Sequence, residues 1–442
     1  MIFMYFPLEK SSGEMSTKLS PKNVLYVSSD EYVKICDLHP KVRGRAKLVD
    51  CLIEVYGLNE KMKINFPERA CKEELESFHT SEYVTCLESI ESYFKENGNF
   101  NSKREEKICL DYSELMDEVE CDIIAHGFGY DCEIFPDMLQ YAKIVSGATL
   151  TAANSLMRKE SNIAINLGGG WHHAHVDEAA GFCYVNDIVI GILHLLKSFK
   201  RILYIDFDVH HGDGVEEAFQ FSNKVFTLSL HKYAHGFFPG TGDIVDVGKG
   251  SGTNFTCNIP LKNGIRDENY ESVFCKVFDA VIRHFDPHLI VSQCGADMLN
   301  GDPLGGFNLT ENCLPRCFKK IQAIGLPLLV LGGGGYHLPN TARCWLKLIA
   351  SLLDVDVDDN IPEHEHLEKY GPDFSLEISP SNRKDENTIE YLNSMLEDVL
   401  ENLSFSSADT EENNKENTNA NVEVIDQEGC ESEPVSKKNK IC

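Results

Sequence analysis

The sequence predicts an α/β fold, a single open and mostly parallel sheet covered by helices on both faces. Three observations carry this. Short apolar runs recur at 162–167, 201–207, 224–230, 288–294 and 326–331. They are near-continuous rather than alternating, the pattern of strands buried on both faces. Between them lie stretches of helical period. In 183–199, Val185, Ile188, Val189, Ile192, Leu195, Leu196 and Phe199 fall on one stripe. Strand-like and helix-like stretches then alternate along the chain, which argues for parallel pairing with crossover helices.

The elements follow in order. Residues 1–22 read as a flexible leader, since Met1 to Leu8 is apolar but too short and poorly flanked for a signal peptide. Order is expected from Asn23-Val24-Leu25-Tyr26-Val27. From there to 404 no linker interrupts the alternation, so 23–404 is read as a single domain. Helices are expected over 268–285 and 340–354, the second with Asn340 as its cap. From 405 the chain turns to Asn, Glu, Ser and Thr, with nine acidic residues against four lysines. Such a tail cannot offset its ordering entropy by burial and is expected to be a disordered acidic tail. Lys437-Lys438-Asn439-Lys440 is too short to stand alone as a nuclear address.

A chain of 442 residues, 42% hydrophobic, can bury a large core. A net charge of −29 argues against a direct grip on nucleic-acid phosphates and favours basic peptides as partners. The 16 cysteines are scattered rather than packed into a small scaffold, so they are expected to be mostly reduced and buried, inside the cell. No apolar run reaches membrane-spanning length; 188–196 is among the longest and contains His194.

The chemistry concentrates at strand ends, where parallel sheets place their sites. The run 201–205 empties into Asp206-Phe207-Asp208-Val209-His210-His211-Gly212-Asp213-Gly214. Asp208 and His210 are two apart, so on an extended backbone they point the same way. One oxygen and one nitrogen ligand make half a site for Zn²⁺ or a similar ion. The plainer alternative is a solvated turn into a helix near Val215. After 288–294 comes Gly295-Ala296-Asp297, where the aspartate reads either as a cap or as the third ligand a catalytic zinc wants. After 162–167 comes Gly168-Gly169-Gly170-Trp171-His172-His173. Two adjacent imidazoles offer one group near the reacting atoms and one to tune it. Asp206 and Asp213 are natural carboxylates to stand behind them. Eight histidines lie between 171 and 235; of these His194 belongs to the helical stripe and reads as structural.

Gly332-Gly333-Gly334-Gly335-Tyr336 lacks the Lys-Ser/Thr of a phosphate loop. It reads as a loop lining a cleft, with the Tyr336 hydroxyl aimed at an oxyanion, or as a core tyrosine. Gly181-Phe182-Cys183 and Gly236-Phe237-Phe238-Pro239-Gly240 place phenylalanines in glycine-rich loops. Two facing rings there make a narrow apolar slot suited to a lysine stem.

These segments together resemble the zinc-dependent histone deacetylases of class I, over roughly 23–400, with details similar to the type-eight branch. The resemblance implies an arginase-like open sheet and hydrolysis of acetyl-lysine, or a longer acyl-lysine, on histones and other proteins. It implies metal ligands Asp208, His210 and Asp297 for Zn²⁺ or Fe²⁺, and a structural K⁺ bound by Asp206, Asp208 and the carbonyls of His210, Ser229 and Leu230. It implies His173, backed by Asp213, as general base and then acid. His172, backed by Asp206, tunes the site, and Tyr336 holds the oxyanion. Gly181, Phe182 and Phe238 line the acyl-lysine channel, Asp131 grips substrate backbone at the rim, and Arg45 serves an internal cavity for acetate. By sequence, Asp131 has no evident structural partner. Acetylated histone tails, corepressor complexes and residence in nucleus and cytoplasm are further implications. The chain departs from the family pattern at Leu167-Gly168, His175-Val176 and Ala180. A two-metal ureohydrolase is disfavoured by Gly212, two residues past His210. An acetylpolyamine hydrolase and a silent acyl-lysine reader remain as rivals.

Overall fold

The computed structural model describes residues 23–97, Val119 and 122–403. The expected leader and acidic tail lie outside the described residues. Among these residues eight strands form one sheet: β1 (Val24–Val27), β2 (Lys63–Asn65), β3 (Ile163–Asn166), β4 (Ile202–Asp206), β5 (Val225–Lys232), β6 (Thr256–Leu261), β7 (Leu289–Gln293) and β8 (Leu328–Leu331). Their order is β2-β1-β3-β8-β7-β4-β5-β6, and every pair is parallel. The five expected apolar runs all form strands, within two residues of the expected bounds. Strands β2 and β6 were not expected.

Alternation along the strands sorts side chains into two cores. Leu203 and Ile205 of β4 pack on one face with α2 (Arg45–Val55), α8 (Asp267–Phe285), α9 (Cys313–Gln322), α10 (Leu338–Leu353) and α11 (389–403). Ile202 and Tyr204 pack on the other with α1 (Asp30–Cys36), α3 (Lys72–Leu75), α4 (Ser81–Asn97), α5 (Met138–Met157), α6 (Asp187–Leu195) and α7 (Asp213–Phe219).

Two helix starts differ from expectation. The stripe at 183–199 becomes helical only at Asp187, because Ala180 and Cys183 pair in an isolated bridge and Asn186 caps the helix by accepting from the Val189 N–H at 3.0 Å. Helix α10 begins before Asn340. Its cap is His337, whose Nδ1 accepts the Asn340 N–H at 3.3 Å. Pro339 sits in the first turn, where its missing N–H costs nothing.

The strand order positions the site. The chain passes from β3 to β4 across a gap of two strands, which β7 and β8 later fill. The carboxyl ends of β3, β8, β7 and β4 therefore lie side by side, and the loops leaving them form a crevice where the winding reverses.

Candidate active site

Asp208 and His210 lie in a bend just past the end of β4, not in the extended backbone that the sequence reading assumed, and Asp297 arrives from the loop after β7. All three are buried, and their ligand atoms lie within 4.8 Å of one another. His210 Nδ1 stands 3.0 Å from Asp208 Oδ1 and 3.1 Å from Asp297 Oδ2. The carboxylates are held in place from outside. Asp208 Oδ2 accepts from the Gln293 side-chain amide at 2.8 Å and from the Gly334 N–H at 2.9 Å, and Asp297 Oδ1 accepts the Val209 N–H at 3.1 Å. A Cβ on Gly334 would sit 2.1 Å from Asp297 Oδ2, so only glycine brings this backbone so close. Burial, and then the charge of Asp208, push the Asp297 carboxyl up to about 7. Two carboxylates facing each other in a buried spot are offset by a cation. Two oxygens and one imidazole nitrogen, open on one side, fit a divalent metal ion with a free position.

His172 and His173 follow β3 on a loop fastened by Asp187. That carboxylate accepts the N–H groups of Gly170 at 3.1 Å and Trp171 at 2.9 Å, and the Thr149 hydroxyl at 2.6 Å. Each imidazole is backed as expected. His172 Nδ1 lies 2.7 Å from Asp206 Oδ2, an oxygen that also accepts the Tyr204 hydroxyl at 2.6 Å. His173 Nδ1 lies 2.7 Å from Asp213 Oδ1. A proton on His173 Nδ1 leaves its Nε2 for the cavity side, whereas His172 Nε2 lies 3.8 Å from Asp208 Oδ2. The two ring centroids are 3.9 Å apart. Burial, and then the charge of His172, push His173 down to about 4. Burial acts the same way on His172, but Asp206 and Asp208 outweigh it and hold that ring up at about 9.

A cavity of about 290 Å³ opens above these groups, lined by Asp131, His173, Gly181, Phe182, His210, Phe237, Phe238, Leu304 and Tyr336. The Phe238 ring stands edge-on to His173 at 4.9 Å, and Phe182 edge-on to Tyr336 at 5.6 Å. Gly181, at φ +53°, has no room for a side chain: a Cβ would meet His173 Cδ2 at 2.4 Å. Burial holds the Tyr336 phenol protonated well above its usual range. Asp131 does have a structural partner, contrary to the sequence reading. Its Oδ2 accepts the Gly181 N–H at 2.7 Å, a contact between residues fifty apart that no local pattern announces.

Arg45 is buried behind the glycine loop. Its guanidinium donates to the carbonyls of Gly333 at 2.9 Å and Gly335 at 3.1 Å and lies over the rings of Trp171 and Trp345. A small cavity of about 30 Å³ adjoins it, walled by Tyr141, Leu167, Gly168 and Trp171 among others. Of the remaining histidines of the cluster, His235 is exposed and the others bond neighbouring groups. His194 bonds Asn154, His211 bonds Thr241 and Glu216, His231 bonds Ser229 and the Gly242 carbonyl, and His175 bonds Glu217. The sequence reading missed Asp187, Gln293, Tyr204, Asp302 and Leu304. Gln293 ends β7 just before Gly295-Ala296-Asp297, and Tyr204 lies in β4 two residues before Asp206, which was the available signal.

Eleven described cysteines are free, nine of them buried, while Cys86 is disulfide-bonded. Among the described residues no helix is long and apolar enough to cross a membrane.

A parallel sheet carrying a cation-seeking Asp-His-Asp set beside carboxylate-backed imidazoles belongs to the metal-dependent hydrolases. The comparisons narrow this. The histone deacetylase domain model matches residues 39–352. Histone deacetylase 8 of Xenopus tropicalis is 45% identical over 380 residues, 86% of this chain and 97% of that protein. Histone deacetylase 8 of Danio rerio is 43% identical, over 90% of this chain and 99% of its own length. Histone deacetylase 1 of Homo sapiens is 41% identical, over 83% of this chain and 71% of its own length. The chain belongs to the histone deacetylase family and is a lysine deacetylase. The family is metal-dependent and acts on acetylated histones.

Proposed function

We propose that this deacetylase removes acetyl groups, and longer acyl groups, from lysines of histone tails and other proteins, with His173 carrying the proton and Tyr336 holding the oxyanion. One observation carries the reading: His173 and Tyr336 line one aromatic-walled cavity together with His210, a member of the cation-seeking set. Asp208, His210 and Asp297 would hold Zn²⁺ or Fe²⁺. That ion supplies a Lewis acid for the amide carbonyl and makes a nearby water more acidic.

His173 Nε2 takes the proton of the attacking water. The Asp213 carboxylate, on the other ring nitrogen, stabilises the imidazolium so formed. The Tyr336 hydroxyl donates to the developing oxyanion. His173 then returns its proton to the leaving lysine amine. His172, fixed by Asp206, sets the local charge without exchanging protons with substrate. Phe182 and Phe238 grip the methylene stem over Gly181, and Asp131 receives peptide N–H groups at the rim. Asp206 and Ser229 stand opposite each other in the β4–β5 register, which supports a structural K⁺ held by Asp206, Asp208 and the carbonyls of His210, Ser229 and Leu230. Arg45 and its small cavity provide a route for acetate.

A chain of charge −29 suits basic histone tails and not nucleic acid. Histone substrates support work in the nucleus, with a cytoplasmic share for other proteins and with corepressor complexes as partners. The catalytic unit spans 23–404, between the leader and the acidic tail. Acetate release from an acetyl-lysine peptide tests the reading. Release should stop with a chelator and return with Zn²⁺. Binding without turnover in metal-replete protein overturns it in favour of a silent reader.

A further inference from the structure

Five residues beyond Asp297 the chain places a second buried carboxylate, Asp302, in the segment Gly301-Asp302-Pro303. It is 8% exposed. No lysine or arginine pairs with it among the described residues. Both of its oxygens serve backbone amides instead. Oδ2 accepts the Tyr336 N–H at 2.7 Å and the His337 N–H at 3.1 Å, and Oδ1 accepts the Leu304 N–H at 2.9 Å. Taking a carboxylate out of water without a counter-charge is costly, so three amides aimed at it need a reason.

The reason lies in what those amides carry. Tyr336 ends a run of four glycines, of which Gly333 at φ +136° and Gly335 at φ +129° hold conformations that leave the loop little intrinsic stiffness. Arg45 fastens that loop from behind, through the carbonyls of Gly333 and Gly335. Asp302 fastens its front end, at the residue whose side chain reaches the cavity. The third amide belongs to Leu304, which lines the same cavity. One carboxylate therefore sets the spacing between two walls of the channel.

We propose that Asp302 is a positioning residue for deacetylation: it clamps the Tyr336 backbone against the Leu304 segment and so aims the Tyr336 hydroxyl at the reacting carbonyl. This rests on the reading of Tyr336 as oxyanion donor.

The test is a double-mutant cycle on the full chain with an acetyl-lysine peptide: wild type, Asp302→Asn, Tyr336→Phe and the double variant. Asparagine keeps one acceptor oxygen and turns an amide NH₂ against an N–H. Asp302→Asn should lower kcat by about 10- to 100-fold, the scale of a misplacement near 1 Å, with KM changed less than about 3-fold. Zinc content should stay at one equivalent. In the Tyr336→Phe background the same change should cost less than about 3-fold, because the hydroxyl it aims is gone. A near-normal kcat in Asp302→Asn overturns the proposal, as does an undiminished loss on top of Tyr336→Phe. A Tyr336→Phe enzyme at near-normal rate overturns the oxyanion reading itself, which separates the two failures. Should the asparagine variant not fold, Asp302→Glu keeps the charge, shifts the acceptor by one methylene and carries the same cycle.

Discussion

Replacing Asp131 by alanine separates two jobs done by one carboxylate. Oδ2 is committed to the Gly181 N–H at 2.7 Å, and Gly181 packs directly on His173 and Phe238. Oδ1 bonds no described residue, and Asp131 is among the residues that line the cavity. Losing Oδ2 leaves the Gly181 amide without its acceptor, a loss of about 1–3 kcal/mol that loosens the channel wall for every substrate alike. Losing Oδ1 matters only to a substrate with backbone N–H groups at the rim. Such a bond to a charged acceptor contributes about 1.5–3 kcal/mol, or roughly 10- to 150-fold at about 1.4 kcal/mol per decade. The assay is kcat/KM for Asp131→Ala on an acetyl-lysine peptide and on a single acetylated alkylamine. Both should fall, the peptide further, by about one to two additional powers of ten. Equal losses on the two substrates refute the peptide clamp and leave Asp131 as a support for Gly181 alone.

Asp297→Ala should purify with far less than one equivalent of zinc, since two protein ligands hold a catalytic ion poorly; one full equivalent by elemental analysis removes Asp297 from the ligand set. His173→Ala should slow turnover by about 10²–10⁴-fold, the usual weight of a proton carrier, and more than His172→Ala does. Steady-state rates in the opposite order exchange the two roles. His39 gives a pH prediction. Its ring stacks on Trp171 at 4.6 Å, with Nε2 2.9 Å from the Phe182 carbonyl and Nδ1 accepting the Lys41 N–H at 3.2 Å, so only the neutral ring fits. Burial pushes it down to about 3, against 6.5 when unfolded. The stability this adds is complete above pH 6.5 and is lost as pH falls toward 3, because the unfolded chain takes the proton first. Thermal midpoints between pH 6.5 and 4 should therefore fall more steeply for wild type than for His39→Asn, and parallel curves sink the assignment.

Strands β3, β4, β7 and β8 were legible because each is an unbroken apolar run, as double-faced burial requires. Strand β2 was not, since Lys63-Ile64-Asn65 is three residues long, two of them polar, at the sheet's edge. Helix α5 escaped for the opposite reason. From Met138 to Leu156 it is buried nearly all round, so no stripe separates a wet side from a dry one. In the site, groups sharing a motif could be read directly: Asp208 and His210 in one run, His172 and His173 in another. Their supports come from elsewhere in the chain. Asp187 under the histidine loop, Gln293 on Asp208 and Gly181 on Asp131 are joined by the closing of the sheet, which leaves no local trace.

The late insertion of β8 has a consequence for the protein's birth on the ribosome. Until Leu328–Leu331 emerges, β2-β1-β3 and β7-β4-β5-β6 share no ladder hydrogen bond, because β8 alone bridges β3 and β7 among the described strands. A nascent chain stopped short of it has no strand to join β3 to β7, and Tyr336 has not yet been synthesised. Such a chain lacks both the strand that joins β3 to β7 and the glycine loop that follows it, so the crevice at their carboxyl ends is without one of its walls. Until β8 is made, the inner edges of β3 and β7 have no partner strand in this sheet, and unpaired strand edges are open to mispairing.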